Sequence, residues 1–192
     1  MAHADNSIIT GKFNGTLGKQ LVFRDWEGKT VVAKSPKRRK GDPSAAQAET
    51  QEKFLLASRY ATAITKSTDQ SMADAYALVV RPRQNVYSRA VEDFMSPPDV
   101  VFVNTRGYKG AVGDKIVIRA IDDYRVTRVE VEILTPDGTL LETGNAEQNI
   151  NGIDWTYTAT TTNPAAAGLA GTKIRAIAFD VPGNEGTLEL TL

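Results

Sequence analysis

The chain has 192 residues and 20.8 kDa, with 41% hydrophobic and 24% charged residues, enough apolar mass for one large domain or two small ones. Zero cysteines exclude a disulfide framework, a thiol nucleophile and a Cys-based zinc site. The only histidine is His3, expected in a loose terminus, so imidazole catalysis and His-rich metal sites fall away, and no enzymatic activity or cofactor is expected.

The zero net charge hides a gradient. Residues 1–42 hold nine basic and four acidic residues, 43–96 six of each, and 97–192 eight basic and thirteen acidic. The ends therefore carry +5 and −5, and the simplest electrostatic partner for each end is the other end of a second copy. No apolar run is long enough to span a membrane. The first residues show no basic stretch followed by an apolar core, so no secretory signal is expected; synthesis would be cytoplasmic, ending in a virion or an extracellular assembly.

In chain order, Gly11, Gly15 and Gly18 come first, spaced for tight turns and not for a phosphate loop. The runs 20–24 and 30–34 are rich in strand formers and flank a glycine turn, predicting a β-hairpin. Its apolar residues Leu21, Phe23, Trp26, Val31 and Val32 are the candidate subunit interface, because a hairpin this short is marginal in water without a partner surface. The cluster Lys37, Arg38, Arg39 and Lys40 follows: a solvated linker, a patch for the acidic half of a neighbour, or a contact to nucleic acid phosphates.

Residues 43–96 read as helices. Ser44 with Gln47 forms a capping-box pattern, and Phe54, Ala57, Ala61 and Ile64 recur at helical spacing as a core stripe. A second helix is expected from Ser71, capped by Ser71 or Asp69, and Pro82 should kink or restart it. The restarted helix carries Val86, Ala90, Val91 and Phe94 and must stop before Pro97–Pro98. Arg81, Arg83 and Arg89 are expected on its solvated side.

Residues 97–192 predict seven short strands, at 100–104, 115–121, 127–134, 139–143, 155–160, 173–180 and 187–192, separated by turn signals such as Pro136–Asp137–Gly138. The fold class is thus α+β: an N-terminal hairpin and basic linker (1–42), a helical segment (43–96) and a β-sandwich (97–192). Acidic and amide residues at strand corners (Asp122, Asp123, Asp154, Asp180, Asn184) raise calcium as an option, but they lack EF-hand spacing, and Asx turns account for them.

The stretch from Ile174 to Asn184, alternating apolar residues and then Ala178–Phe179–Asp180–Val181–Pro182–Gly183–Asn184, resembles the penultimate strand of bacterial immunoglobulin-like modules. Asp122–Asp123–Tyr124 resembles the Asp-containing corner of the same modules. The resemblance covers the final half and implies an immunoglobulin-like sandwich of about seven strands; such modules serve as spacers, adhesins and assembly domains. The whole layout is similar to uncharacterised bacterial and phage proteins with a glycine-spaced N-terminal hairpin, for which no chemistry carries over. Three functions compete: a self-assembling structural protein (filament, sheath or virion subunit), a nucleic-acid-associated protein using residues 37–40, and a carbohydrate- or protein-binding module.

Overall fold

The structure, a computed structural model, describes residues 2–3, 14–26, 29–37, 41–164 and 168–192, with the backbone alone for Ala2, His3 and Trp26. The described residues are mixed helix and sheet, with three helices and three four-stranded antiparallel sheets, and the chain divides into two compact units, 1–44 and 45–192.

The first unit is a sheet. Strands β1 (Ala2–His3), β2 (Gly15–Leu17), β3 (Leu21–Trp26) and β4 (Lys29–Lys34) lie in the order β1-β4-β3-β2. The expected hairpin is β3–β4, in register from Leu21 opposite Lys34 to Trp26 opposite Lys29. It does not stand by itself: β1 and β2 pair along its two sides. His3, expected in a loose terminus, is instead paired with Val31. Gly15 and Gly18 both take positive φ, +127° and +58°, which explains two of the three spaced glycines; Gly11 lies outside the described residues.

The second unit begins with α1 (Ala45–Lys66), α2 (Ser71–Ala77) and α3 (Val86–Met95). The hydroxyls of Thr50, Ser58, Thr62 and Thr65 bond to carbonyls four residues back, so these four are satisfied inside α1. The buried side of α1 is Ala57, Ala61 and Ile64. Phe54, expected to extend that stripe into the core, is instead 54% exposed. The reason is the length of α3, which ends before Pro97–Pro98. Its last residue, Met95, receives a hydrogen bond from Lys53 Nζ (3.1 Å), and the described stretch of α1 before Lys53 has no buried residue.

Helix α2 has Gln70 at its N-cap, whose side chain donates back to the Ser67 carbonyl and does not cap the helix, while Asp69 Oδ1 accepts from the Ser71 amide at 2.9 Å. Pro82 falls in the connection, and α3 restarts with a reciprocal cap: Asn85 accepts from the Ser88 amide, and the Ser88 hydroxyl accepts from the Asn85 amide.

Strands β5 (Asp99–Asn104), β6 (Lys115–Ile121), β10 (Asp154–Thr158) and β9 (Glu147–Gln148) form one sheet in that order. Strands β12 (Glu185–Thr191), β11 (Lys173–Phe179), β7 (Arg128–Leu134) and β8 (Leu140–Asn145) form the other. Alternation builds one core between them. Ile116 and Ile118 of β6 and Trp155 and Tyr157 of β10 bury with Val129, Val131 and Ile133 of β7 and Ile174, Ala176 and Ala178 of β11. Each of the valines and isoleucines contributes roughly 1.5–3 kcal/mol by leaving water. On the outer face of the second sheet Arg175 sits between Glu132 (3.0 Å) and Glu189 (2.9 Å) on its two neighbouring strands. Part of the acidic charge of the C-terminal half is therefore already paired within the chain.

Candidate functional site

Two places gather chemistry-bearing side chains: the N-terminal sheet and the junction between helices and sheets in the second unit.

In the N-terminal sheet, residues directly opposite one another share a face. Phe23 faces Val32, and Leu21 faces Leu17 on one side and Lys34 on the other, so Leu17, Leu21, Phe23 and Val32 lie on one face. Val31 pairs with Arg24 on the opposite face, so the candidate interface residues do not form one patch. Phe23 is buried, as is Thr30; Val31 and Val32 are half-buried; Leu17 and Leu21 are exposed by 63% and 39%. Trp26 is placed only through its backbone pairing with Lys29. Of the basic cluster, Lys37 is exposed, and Arg38, Arg39 and Lys40 lie outside the described residues. Lys37 shares a hollow of about 470 Å³ with Lys19, Lys34, Leu21, Ser35 and others. The Ser35 amide, bonded to the Gln20 carbonyl at 2.7 Å, ties the two sides of that hollow together. Lys19 holds a positive φ of +56°, uncommon for a residue other than glycine.

The junction was not foreseen. Arg89 was expected to be solvated; it is 1% exposed, because its position on α3 faces the β6–β7 turn. Its Nη1 donates to Glu92 (3.0 Å) and its Nη2 to the Asp123 carbonyl (2.5 Å). One turn further along α3, Asp93 is completely buried. Its Oδ2 accepts a 2.6 Å bond from the Tyr76 hydroxyl, which also lies 2.9 Å from the Tyr60 hydroxyl, while Oδ1 has no hydrogen-bond partner among the described residues. Burial pushes the Asp93 carboxyl up to about 6 against the hydrogen bond from Tyr76, with help from the nearby charges of Asp122 and Asp180. The same burial raises the Tyr60 and Tyr76 hydroxyls, so both stay protonated donors.

The strand corners hold this junction from the other side. Asp180 Oδ1 accepts from the amides of Gly183 and Asn184, and the Asn184 side chain donates to the Phe94 carbonyl at 3.1 Å. Asp122 Oδ2 caps the amides of Tyr124 and Arg125, and the Tyr124 ring packs on Tyr76 at 4.7 Å. Asp154 forms a two-pronged ion pair with Arg119 (2.8 and 3.1 Å), and Asp123 lies 3.6 Å from Arg81. The corner residues weighed for calcium thus act in turns and ion pairs, and among the described residues no cluster of three or more acidic or imidazole groups is arranged for a metal. The signal for the junction was present in the pattern Tyr76, Arg89 and Asp93, but a helix pattern does not say which polar face is covered by a later turn.

No family model matches the chain, and no curated protein does. Among solved structures it is similar to an engineered protein, with 20% identity and a TM-score of 0.30 over 50% of this chain and 18% of that one. It is also similar to the catalytic module of SpuA, a multi-modular glycogen-degrading pneumococcal virulence factor, with 16% identity and a TM-score of 0.29 over 43% of this chain and 13% of that one. The chain thus spans less than a fifth of either structure, and at these TM-scores neither likeness carries an argument. Among the described residues, no helix is long and apolar enough to cross a membrane.

Proposed function

We propose that the protein is a non-enzymatic structural subunit that self-assembles through its N-terminal β unit. One observation carries this reading: the first 44 residues form a separate compact unit. A unit of that size, with no cysteine to staple it, sits at the limit of what folds alone. A neighbouring subunit supplies the missing surface, against the exposed Leu17–Leu21 face beside the β2 edge. Strand addition to a sheet edge gives main-chain hydrogen bonds, and a head-to-tail contact that does not close on itself polymerises. The host surface is the second unit. Its strand order supports an immunoglobulin-like module: with β5 to β12 lettered A, B, C, C′, D, E, F and G, the sheets run A-B-E-D and G-F-C-C′, the arrangement of such sandwiches. Comparing the full chain with residues 45–192 by negative-stain microscopy tests the reading. Ordered particles from the full chain alone support it; equal assembly by both overturns it.

The lysine-lined hollow favours a second reading, a nucleic-acid-associated protein. Its mark would be DNA or RNA affinity that falls steeply with salt and is lost when Lys19, Lys34 and Lys37 become Glu.

A further inference from the structure

The solvent side of α1 carries a pattern that its buried side does not explain. Ala48, Glu52, Leu55, Leu56, Arg59 and Ala63 are all exposed. At 3.6 residues per turn they fall within an arc of about 100°. That arc points away from Ala57, Ala61 and Ile64, the buried residues of the same helix. Leu55 and Leu56 are 51% and 46% exposed, an unusual outlay of apolar surface on a helix that has already packed its other side.

The stripe is complementary to its own reverse about the midpoint between Leu55 and Leu56. Counting outward, leucine meets leucine, Glu52 meets Arg59 at an equal distance, and Ala48 meets Ala63. A surface that matches itself after reversal is what a two-fold axis requires, since each residue i must find j while j finds i. We propose that this stripe is an isologous interface on which a second copy of the chain lays its own α1 antiparallel. Leu55 then packs on the partner's Leu56, two Glu52–Arg59 pairs flank this centre, and the alanines at both ends let the helix backbones approach closely. Parallel pairing would set Glu52 against Glu52 and Arg59 against Arg59, so charge alone selects the antiparallel order. The paired segment is about 24 Å long, a contact at the small end of specific interfaces, so its affinity is on the order of micromolar. This contact is independent of the N-terminal unit, and the two together would cross-link a head-to-tail strand to a second one.

Because the chain has no cysteine, introduced ones report on this geometry without background. In the full chain, Leu56→Cys places a thiol beside the axis, and mild oxidation should give a covalent dimer. Ala63→Cys, also at an exposed position, stands about 22 Å from its own copy in the antiparallel pair and should remain monomeric on a denaturing gel, whereas Ala48→Cys combined with Ala63→Cys should cross-link. The orthogonal test is charge exchange in the full chain, measured by fluorescence self-titration. Glu52→Arg and Arg59→Glu should each weaken self-association by about fivefold, and the double exchange should restore it to within about twofold. Cross-linking through Ala63→Cys alone, no cross-link through Leu56→Cys, or no rescue by the double exchange overturns the proposal. These readouts are local to α1, so they stand or fall separately from assembly through the N-terminal unit.

Discussion

The Tyr76 hydroxyl donates a 2.6 Å hydrogen bond to Asp93, joining α2 to a carboxyl with no exposure to water. That pair sits where the helices meet the strand corners, with Arg89, Glu92 and Tyr60 on the helices and Asp122, Asp123, Tyr124 and Asp180 on the turns around it. The Tyr76 hydroxyl and the nearby Arg89 guanidinium favour the charged form of the Asp93 carboxyl, while burial and the charges of Asp122 and Asp180 favour the protonated one.

Asp93 makes the helix junction sensitive to pH. Its folded pKa of about 6 lies above the ordinary 3.8, so between those values the folded state holds a proton that the unfolded chain has lost. The stabilisation is complete below about 3.8 and is lost as pH rises through about 6. Comparing wild type with Asp93→Asn in chemical denaturation from pH 4.5 to 7.5 isolates this group. The difference in stability should shift in favour of the variant as pH rises; a constant difference would contradict the assignment.

Tyr76→Phe removes the donor and leaves the Asp93 carboxyl unpaired in the interior. The expected cost is about 1–3 kcal/mol at neutral pH, smaller at pH 5 where the carboxyl is protonated. Thermal melts at the two pH values check it. Tyr60→Phe should cost less, since the Tyr76–Asp93 bond remains.

Gly186 is required by backbone approach. A Cβ there would stand 1.8 Å from the Pro98 carbonyl oxygen, and backbone cannot swing aside as a side-chain tip can. Gly186→Ala should lower stability by about 1–3 kcal/mol through overpacking. Gly183→Ala has open space around its Cβ, so its cost is confined to the strain of its positive φ of +92°.

The strands were legible because burial on one face imposes a two-residue period. Val129–Val131–Ile133 and Ile174–Ala176–Ala178 announce themselves, and the expected runs fall within one or two residues of the observed elements. The two-residue β9 was too short to leave a pattern. Phe54 and Arg89 misled for one shared reason. Both follow helical spacing, but whether a helix face is covered depends on how far α3 runs and where the β6–β7 turn lands, and both are long-range facts. At the N-terminal sheet, composition pointed to Leu21, Phe23, Val31 and Val32, while register divided them between two faces. The self-complementary stripe on α1 lies in the residues themselves, but it gained meaning only once the opposite side of the helix was seen to be occupied.

Residues 97–192 have the shared core of two sheets, and the fragment should melt cooperatively by circular dichroism. It should melt lower than 45–192, because removing the helices uncovers Tyr124 and deprives the Asn184 side chain of the Phe94 carbonyl. Equal melting temperatures would show that the junction adds nothing to stability.

Sedimentation velocity of the full chain beside residues 45–192, over a hundredfold range of concentration, tests the assembly reading most directly. The full chain should grow into species larger than a dimer as concentration rises, and the truncated chain should stop at a dimer, since head-to-tail growth needs the N-terminal unit. A full chain that never exceeds the size reached by 45–192 would contradict assembly through that unit.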